Sequence, residues 1–303
     1  MFREELFRLR NPQSDLYHIH ICSGTSTWRK MRYVKSLKED SNRVILHVHG
    51  ARYHLFYESC NDREKRKIRN LYDSVAKVIV LSEEWRDYFI NAKICDPKKI
   101  EVLHNAVEVP KDSKVDYRSN NVLFLGRLGE RKSPDVLLKA AQNVLSQHSD
   151  ARFIFGGDGD VEKYKKIADD LGILEKCEFR GWVSGKEKEG LFRKCSIYCL
   201  PSKNEGMPMS VLEAMSYGLS TVSTSVGGVP QVICDAENGF LIPVGDVSAL
   251  SKCLDILMDD KNLKQKIGNA GRQTIIDQFS MQSFERHLSE IYRDVLFIRN
   301  RSK

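Results

Sequence analysis

Two glutamates, Glu205 and Glu213, lie eight positions apart in the segment PSKNEGMPMSVLEAMSYG, residues 201–218. Glu205 falls in a polar loop after the apolar run IYCL, and Glu213 falls one turn into a predicted helix that begins near Pro208. Glu213 has apolar neighbours, among which a carboxylate is costly to bury without a partner. The pattern favours two acids that accept hydrogen bonds from hydroxyl groups of one ligand. The alternatives are a helix N-terminal acid for Glu205 and a buried ion pair for Glu213.

Two cations, Arg127 and Lys132, flank a glycine-containing turn that follows the apolar run VLFL and Gly126. Ser133 and Pro134 then open a predicted helix, with Ser133 as its N-cap and Pro134 at its first position. A guanidinium group, an ammonium group and the free N–H groups of a helix N-terminus form a site for a diphosphate. A surface loop with ordinary charges is the alternative, and this segment alone does not decide between the two.

Glycines end two further predicted strands. Gly156, Gly157 and Gly159 follow the run FIF, and Gly227 and Gly228 follow the strand STVS. Glycine at such a place lets the backbone approach a ligand closely, and it is also what a tight turn requires.

Four histidines lie on two predicted strands near the N-terminus. His47 alternates inward and is expected to pack in the core, whereas His49 at the strand end is placed to face a cleft between domains. Both a structural and a catalytic role stay open for His49. His18 and His20 are interpreted as structural.

Short β-branched runs alternate along the chain with longer segments of helical period. This alternation predicts parallel sheets with helices on both faces, and ligands of such folds bind beyond the carboxyl ends of the strands. The predicted strands are residues 16–21, 43–48, 75–81, 100–103, 122–125, 152–155, 177–179, 197–200, 220–223 and 240–242. The predicted helices are residues 27–38, 63–73, 83–91, 134–146, 160–171, 186–194, 209–217, 247–257 and 262–277.

A polar, proline-containing stretch at residues 108–116 interrupts this rhythm and is interpreted as a linker. After Phe279 one long amphipathic helix is expected, with Ile291 and Val295 on its apolar stripe. The predicted organisation is a first domain at residues 1–110, a second at 111–280, and a helix at 281–303 that packs back towards the first domain.

The chain has 303 residues, of which 41% are hydrophobic and 29% charged, a ratio typical of globular proteins. The formal net charge is +7, and a dense basic run occupies residues 63–69. This run is interpreted as a solvated helix face or as a peripheral contact with an anionic membrane; nucleic acid is not expected, because no binding motif accompanies it. Eight cysteines without metal-ligand spacing, and no secretory signal, favour a cytoplasmic protein, with the inner face of the membrane as a further location.

The chain resembles the retaining nucleotide-sugar glycosyltransferases of family 4, the glycosyl transferases group 1. The similarity is carried by NEGMPMSVLEAMSYG, FLGRLGERKSPDVLLKA, FGGDG, and SVGGVPQVI followed by NGFLIPVGD, which are specific as an ordered set. The segments DLYHIH and HVHGARY resemble the later part of the family's first domain. The resemblance implies the GT-B architecture, an α/β fold with two Rossmann-like domains facing across a cleft.

The resemblance also implies roles for residues at matching positions. Glu205 would contact the donor sugar near the reacting centre and His49 would lie beside the transferred sugar, so these two are the expected catalytic residues. Arg127 and Lys132 would bind the donor diphosphate, and Glu213 the nucleotide ribose. The expected donor-binding set is Gly126, Arg127, Lys132, Gly157, Gly206, Met207, Pro208, Met209, Leu212 and Glu213.

The implied reaction moves a hexosyl or N-acetylhexosaminyl group, with retention, from a nucleoside-diphosphate donor to a glycan or polyprenyl-linked acceptor. UDP is the family's usual nucleotide, and surface polysaccharide or lipopolysaccharide synthesis is the expected context. Cations would stabilise the departing diphosphate, so no metal and no cofactor besides the donor substrate are expected.

One departure from the family concerns the N-terminus. The first domain normally begins with further βα units and a glycine-rich loop, and at about 30 residues per unit this chain begins about two units late. The first domain is therefore expected to be incomplete, through a fragment, a misplaced start or lost activity. A catalytically inactive nucleotide-sugar-binding module and, more remotely, a nucleotide-sugar epimerase are the alternative functions.

Overall fold

The computed structural model describes residues 16–50 and 52–301. The chain divides into two compact units. One contains the residues up to His104 together with those from Glu285 onwards, and the other contains Asn105–Phe284. The stretch 108–116 has neither helix nor strand and belongs to the second unit.

The first unit contains a four-stranded parallel sheet whose strands lie in sequence order. Its strands are β1 (Tyr17–Ile21), β2 (Val44–Val48), β3 (Lys77–Val80) and β4 (Ile100–Val102). Its helices include α1 (Thr25–Ser36), α2 (Tyr53–Ser59), α3 (Asp62–Asp73) and α4 (Glu83–Asn91). Every residue of β2 is buried, as expected for a parallel strand covered on both faces.

Helix α2 was not predicted from the sequence. Its segment YHLFYES has no clear apolar stripe, yet Tyr53 and Tyr57, one turn apart, are both buried. The Tyr72 hydroxyl of α3 donates a hydrogen bond of 2.8 Å to the Tyr53 hydroxyl, so neither buried phenol lacks a partner. Aromatic packing, rather than periodicity, therefore accounts for this helix.

The basic run forms the exposed side of α3. Asn61 and Glu64 form a capping box at its start, and Ile68 and Leu71 anchor it in the core. The side chains of Arg63, Arg66 and Lys67 are exposed. In the structure this basic run is therefore a solvent-exposed helix face.

The second unit contains a six-stranded parallel sheet of order β10-β9-β8-β5-β6-β7. Its strands are β5 (Val122–Leu125), β6 (Phe153–Gly156), β7 (Cys177–Gly181), β8 (Ile197–Leu200), β9 (Ser220–Thr224) and β10 (Phe240–Ile242). Its helices are α5 (Pro134–Leu145), α6 (Val161–Asp170), α7 (Gly185–Lys194), α8 (Met209–Tyr217), α9 (Val247–Asp259) and α10 (Lys261–Gln278). This strand order is that of the doubly wound Rossmann fold, and the order reverses between β5 and β8.

The last helix, α11 (Met281–Arg301), begins in the second unit and passes into the first at Glu285. Its apolar stripe is buried at Ile291 and Val295. The hydroxyl of Tyr292 lies 2.6 Å from Nδ1 of His18 on β1. Among the helices of the described ranges, none combines the length and apolar character needed to span a bilayer.

Candidate functional site

A pocket of about 460 Å³ opens in the second unit at the carboxyl ends of β5 and β8. These two strands flank the point where the strand order reverses, which is where doubly wound sheets bind ligands. Residues that the sequence analysis singled out line much of it: Gly126, Arg127, Lys132, Gly157, Glu205, Met207, Pro208, Met209 and Glu213.

The loop after β5 brings its two cations to the pocket in different ways. The side chain of Arg127 is 73% exposed, and its NH1 lies 3.8 Å from the Asp158 carboxylate. The side chain of Lys132 is only 11% exposed and turns inward. Arg127 is therefore accessible to a ligand, whereas Lys132 is held in place by Glu205.

The N-cap prediction for Ser133 was wrong in its mechanism. Ser133 precedes Pro134 as expected, but its backbone is left-handed, with φ of 49°. Its hydroxyl donates to the carbonyl of Glu130 at 3.1 Å instead of accepting from the helix. The first N–H groups of α5 are thus not capped by this side chain.

Glu205 is the centre of a buried ion cluster. Its Oε1 lies 2.6 Å from Nζ of Lys132 and 3.1 Å from NH1 of Arg131, and its side chain is 7% exposed. Arg131 also donates to the carbonyl of Asn204 at 2.9 Å. Burial lowers the pKa of the Lys132 ammonium, and the Glu205 carboxylate opposes that shift. The carboxylate therefore helps to keep Lys132 protonated.

The two glycines after β9, Gly227 and Gly228, pack against the backbone of the Glu205 loop. The N–H of Gly228 donates to the carbonyl of Gly206 at 2.5 Å. A Cβ at Gly227, whose φ is +54°, would lie 1.9 Å from the carbonyl oxygen of Glu205. Gly227 therefore allows two backbone segments to touch at a tight turn, and the other role left open for these glycines, a close approach to a ligand, stays a prediction.

Gly157 serves a similar purpose after β6. A Cβ there would lie 1.9 Å from the carbonyl oxygen of Gly126. The two loops that border the pocket on this side therefore touch through their backbones.

Glu213, on α8, lies in the pocket and pairs with Lys188 of α7, with its Oε1 2.7 Å from Nζ. Its side chain is 26% exposed, so the carboxylate remains reachable by a ligand. Leu212 and Gly206 do not line the pocket: Leu212 is fully buried, and the carbonyl of Gly206 accepts from Gly228.

The charged or aromatic pocket residues that were not singled out from the sequence are Lys188 and Trp182, and Arg131, which contacts Glu205, was not singled out either. Arg131 lies inside the recognised FLGRLGERKSP segment, next to Lys132, and was overlooked there. Trp182 is 74% exposed and directly follows β7, so the rule that ligands lie beyond strand carboxyl ends could have found it. Lys188 gives no such signal, because only the folded chain brings it to Glu213.

In the first unit, the four histidines of β1 and β2 form one cluster. The Nε2 atom of His49 lies 2.7 Å from Nδ1 of His20, and Nε2 of His18 lies 3.2 Å from Nδ1 of His47. Burial is the largest cause of the lowered pKa values of these histidines, with neighbouring imidazoles adding to it for His18, His47 and His49. The pKa is about 4 for His18 and His49 and about 2 for His47, so these rings are neutral near pH 7.

The fold and this pocket define a doubly wound α/β protein that presents cations and carboxylates at its switch point. The family model of glycosyl transferases group 1 matches residues 105–274, more than half of the chain. The chain therefore belongs to the glycosyl transferases group 1 family.

Two proteins of similar sequence and one of similar structure serve as comparisons. An uncharacterized glycosyltransferase of Methanocaldococcus jannaschii is 23% identical over 90% of this chain and 70% of its own length. The UDP-Gal:alpha-D-GlcNAc-diphosphoundecaprenol alpha-1,3-galactosyltransferase of Escherichia coli is 25% identical over 73% of this chain and 60% of its own. Anabaena HepE, solved in complex with UDP, is 18% identical over 91% of this chain and 79% of its own, with a TM-score of 0.77. The predicted α/β fold with two parallel, Rossmann-like units is confirmed.

Proposed function

We propose that the protein transfers a hexosyl or N-acetylhexosaminyl group from a UDP-sugar to a glycan or polyprenyl-linked acceptor, with retention at the anomeric carbon. The observation that carries the proposal is the pocket at the switch point, where Arg127 and Lys132 face the loop of Glu205 and the helix of Glu213. The galactosyltransferase relative, whose name specifies a UDP donor and a diphosphoundecaprenol acceptor, supports the substrate class. Synthesis of a surface polysaccharide or lipopolysaccharide is the proposed context.

The diphosphate of the donor is assigned to the cations of the pocket. Lys132, held in place by Glu205, would bind the diphosphate without changing its position. The exposed guanidinium of Arg127 would donate two parallel hydrogen bonds to the diphosphate oxygens. Backbone groups of residues 206–209 would complete the contacts. These charges stabilise the departing diphosphate as the bond from the anomeric carbon to its oxygen breaks, so the proposed mechanism is metal-independent.

The nucleoside end of the donor is assigned to the other side of the pocket. Glu213 would accept hydrogen bonds from the ribose hydroxyls while Lys188 holds its carboxylate in place. The exposed ring of Trp182 offers a surface on which a base can stack.

Glu205 and His49 are the proposed catalytic residues. Both cations contact Oε1 of Glu205, and Oε2 is proposed to accept a hydrogen bond from a sugar hydroxyl. The acceptor hydroxyl would form the new bond on the face from which the diphosphate leaves, and its proton would pass to the departing phosphate oxygen. The basic face of α3 is proposed to help bring the protein to an anionic membrane that carries a polyprenyl-linked acceptor.

The proposal is tested by binding and transfer together. Calorimetric titration with UDP is expected to show one site per chain, and incubation with UDP-sugars and a polyprenyl-diphosphate sugar is expected to give a product with the donor's anomeric configuration by NMR. UDP binding without transfer would support the inactive binding module. A free sugar nucleotide with an inverted centre, formed without acceptor, would support the epimerase.

Replacing Glu213 with alanine is expected to weaken UDP binding about 10- to 100-fold, because charge-assisted hydrogen bonds to the ribose are lost. Calorimetry measures the dissociation constant. The control is Glu162→Ala, which removes an exposed carboxylate of α6 that is not in the pocket lining. Equal UDP affinity in Glu213→Ala and Glu162→Ala would contradict the ribose assignment.

Replacing Trp182 with alanine is expected to weaken UDP binding about tenfold, because stacking of a base on an aromatic ring is worth about 1–3 kcal/mol. Inorganic pyrophosphate has no base and serves as the matched control ligand. Its affinity should be the same for the wild type and the variant. A parallel loss of UDP and pyrophosphate binding would show that Trp182 supports the pocket instead of stacking on the base.

A further inference from the structure

The four histidines of the first unit occur as two His-x-His pairs on neighbouring parallel strands. His18 and His20 are two residues apart on β1, and His47 and His49 are two residues apart at the end of β2. Residues two apart on a strand point to the same face, and the strand register places His20 opposite His47. The sheet therefore gathers four imidazoles on one face, with neighbouring ring centroids 4.2–5.3 Å apart.

Three of these rings converge as metal ligands do. His18, His20 and His47 can each place one ring nitrogen so that the three atoms lie within 4.8 Å of one another. The observed separation of 3.2 Å between Nε2 of His18 and Nδ1 of His47 matches two tetrahedral zinc ligands, which at about 2.0–2.1 Å from the ion lie roughly 3.3 Å apart. Small movements of His20 would complete the set.

The rings of His18 and His20 are already oriented by hydrogen-bonding partners. The Tyr292 hydroxyl lies 2.6 Å from Nδ1 of His18, and Nε2 of His49 lies 2.7 Å from Nδ1 of His20. Metal-bound histidines commonly use their second nitrogen in this way, which fixes the tautomer and aims the first nitrogen at the ion. Nε2 of His20 is thus left for a ligand, and Nε2 of His18 would exchange its contact with Nδ1 of His47 for the ion.

Packing alone does not account for the third ring. His47 is 2% exposed, and among the described residues its Nε2 has no hydrogen-bond partner. The nitrogen of this buried ring that would bind the ion is Nδ1, the atom 3.2 Å from Nε2 of His18. His20 is exposed and provides the route by which an ion enters.

We propose that His18, His20 and His47 bind a divalent transition-metal ion, Zn²⁺ in the first instance, with Tyr292 and His49 as supporting groups. Neutral imidazole is a preferred ligand of Zn²⁺. The site goes beyond the proposed transfer reaction, whose diphosphate is assigned to cations of the second unit. Through Tyr292 the ion would join the last helix to the first strand.

The test uses the full chain, stripped of metal with a chelator and dialysed. Titration with Zn²⁺ in competition with a chromophoric chelator is expected to show one ion per chain, and Zn²⁺ should raise the unfolding temperature. His20→Ala, at an exposed position, is expected to weaken Zn²⁺ binding at least tenfold, and Tyr292→Phe about tenfold. His287→Ala, which removes an exposed histidine of α11, is the matched control and should bind like the wild type.

Equal Zn²⁺ affinity in His20→Ala and His287→Ala would overturn the proposal, as would the absence of Zn²⁺ binding by the wild type. Calorimetry with UDP separates this outcome from the proposed function. UDP affinity should be unchanged in His20→Ala, so a failure of the metal site leaves the donor site untouched.

Discussion

Replacing Lys132 with methionine is expected to lower kcat/KM for transfer from a UDP-sugar by about 100- to 1,000-fold. Methionine keeps much of the length and apolar stem of lysine but removes the charge. Lys132 is held 2.6 Å from Glu205 before a ligand binds, so its charge needs little reorganisation when the diphosphate departs. Steady-state kinetics with a UDP-sugar and the acceptor measures the loss.

Lys139→Met is the matched control for this substitution. Lys139 lies on α5, its side chain is 54% exposed, and it pairs only distantly with Asp135, at 3.9 Å. The control should retain the kinetics of the wild type. A Lys132→Met enzyme as active as Lys139→Met would refute the assignment of Lys132 to the diphosphate.

Replacing Glu205 with alanine is expected to lower kcat at least 100-fold and to reduce the free energy of unfolding by about 3 kcal/mol. Two cations would lose the carboxylate that faces them, and Lys132, 11% exposed, has little solvent to replace it. Its pKa is already lowered by burial, so the removal of Glu205 also favours the neutral amine. Urea denaturation and steady-state kinetics measure the two effects.

Glu130→Ala controls for the loss of an acid from the same region. Glu130 is an exposed neighbour of Arg131, and its carbonyl, which binds Ser133, is unaffected by the substitution. Glu205→Gln separates the two effects further, because it keeps the side-chain volume. If Glu205→Ala and Glu130→Ala have the same free energy of unfolding, the ion cluster does not stabilise the second unit.

Most of the fold was predictable from short-range pattern. All ten predicted strands are present with ends within two residues, because continuous runs such as VLFL are typical of strands buried on both faces. Helix α2 was missed, since its buried Tyr53 packs against distant residues such as Tyr72, 19 positions along the chain. Periodicity carries no information about such a distant partner.

The pocket residues that could be predicted either follow a strand or, like Glu213, lie in the segment that resembles the family. Gly126, Gly157 and Glu205 could be placed at one edge of a sheet because parallel strands end together. The partners of these residues could not be placed. The pairing of Glu213 with Lys188 depends on how α7 and α8 pack. The structure shows the ion pair, and the role of Glu213 as a ligand acid stays a prediction.

The histidine cluster could have been predicted from the sequence but was not. Two His-x-His pairs on predicted strands indicate a shared face, yet His18, His20 and His47 were interpreted one by one as structural, and His49 was considered alone for a structural or a catalytic role. The missing piece was that β1 and β2 are neighbours, which the register of His20 with His47 establishes.

The backbone contacts at Gly157 and Gly227 determine how this pocket can be re-engineered. At both positions a carbonyl oxygen of a neighbouring loop occupies the space that a Cβ would need, so any side chain there would push the two loops apart. Trp182 and Met209, which are 74% and 43% exposed, face the pocket without such contacts. A mutant library that varies the exposed pair and keeps the two glycines fixed would explore new donors on an unchanged scaffold.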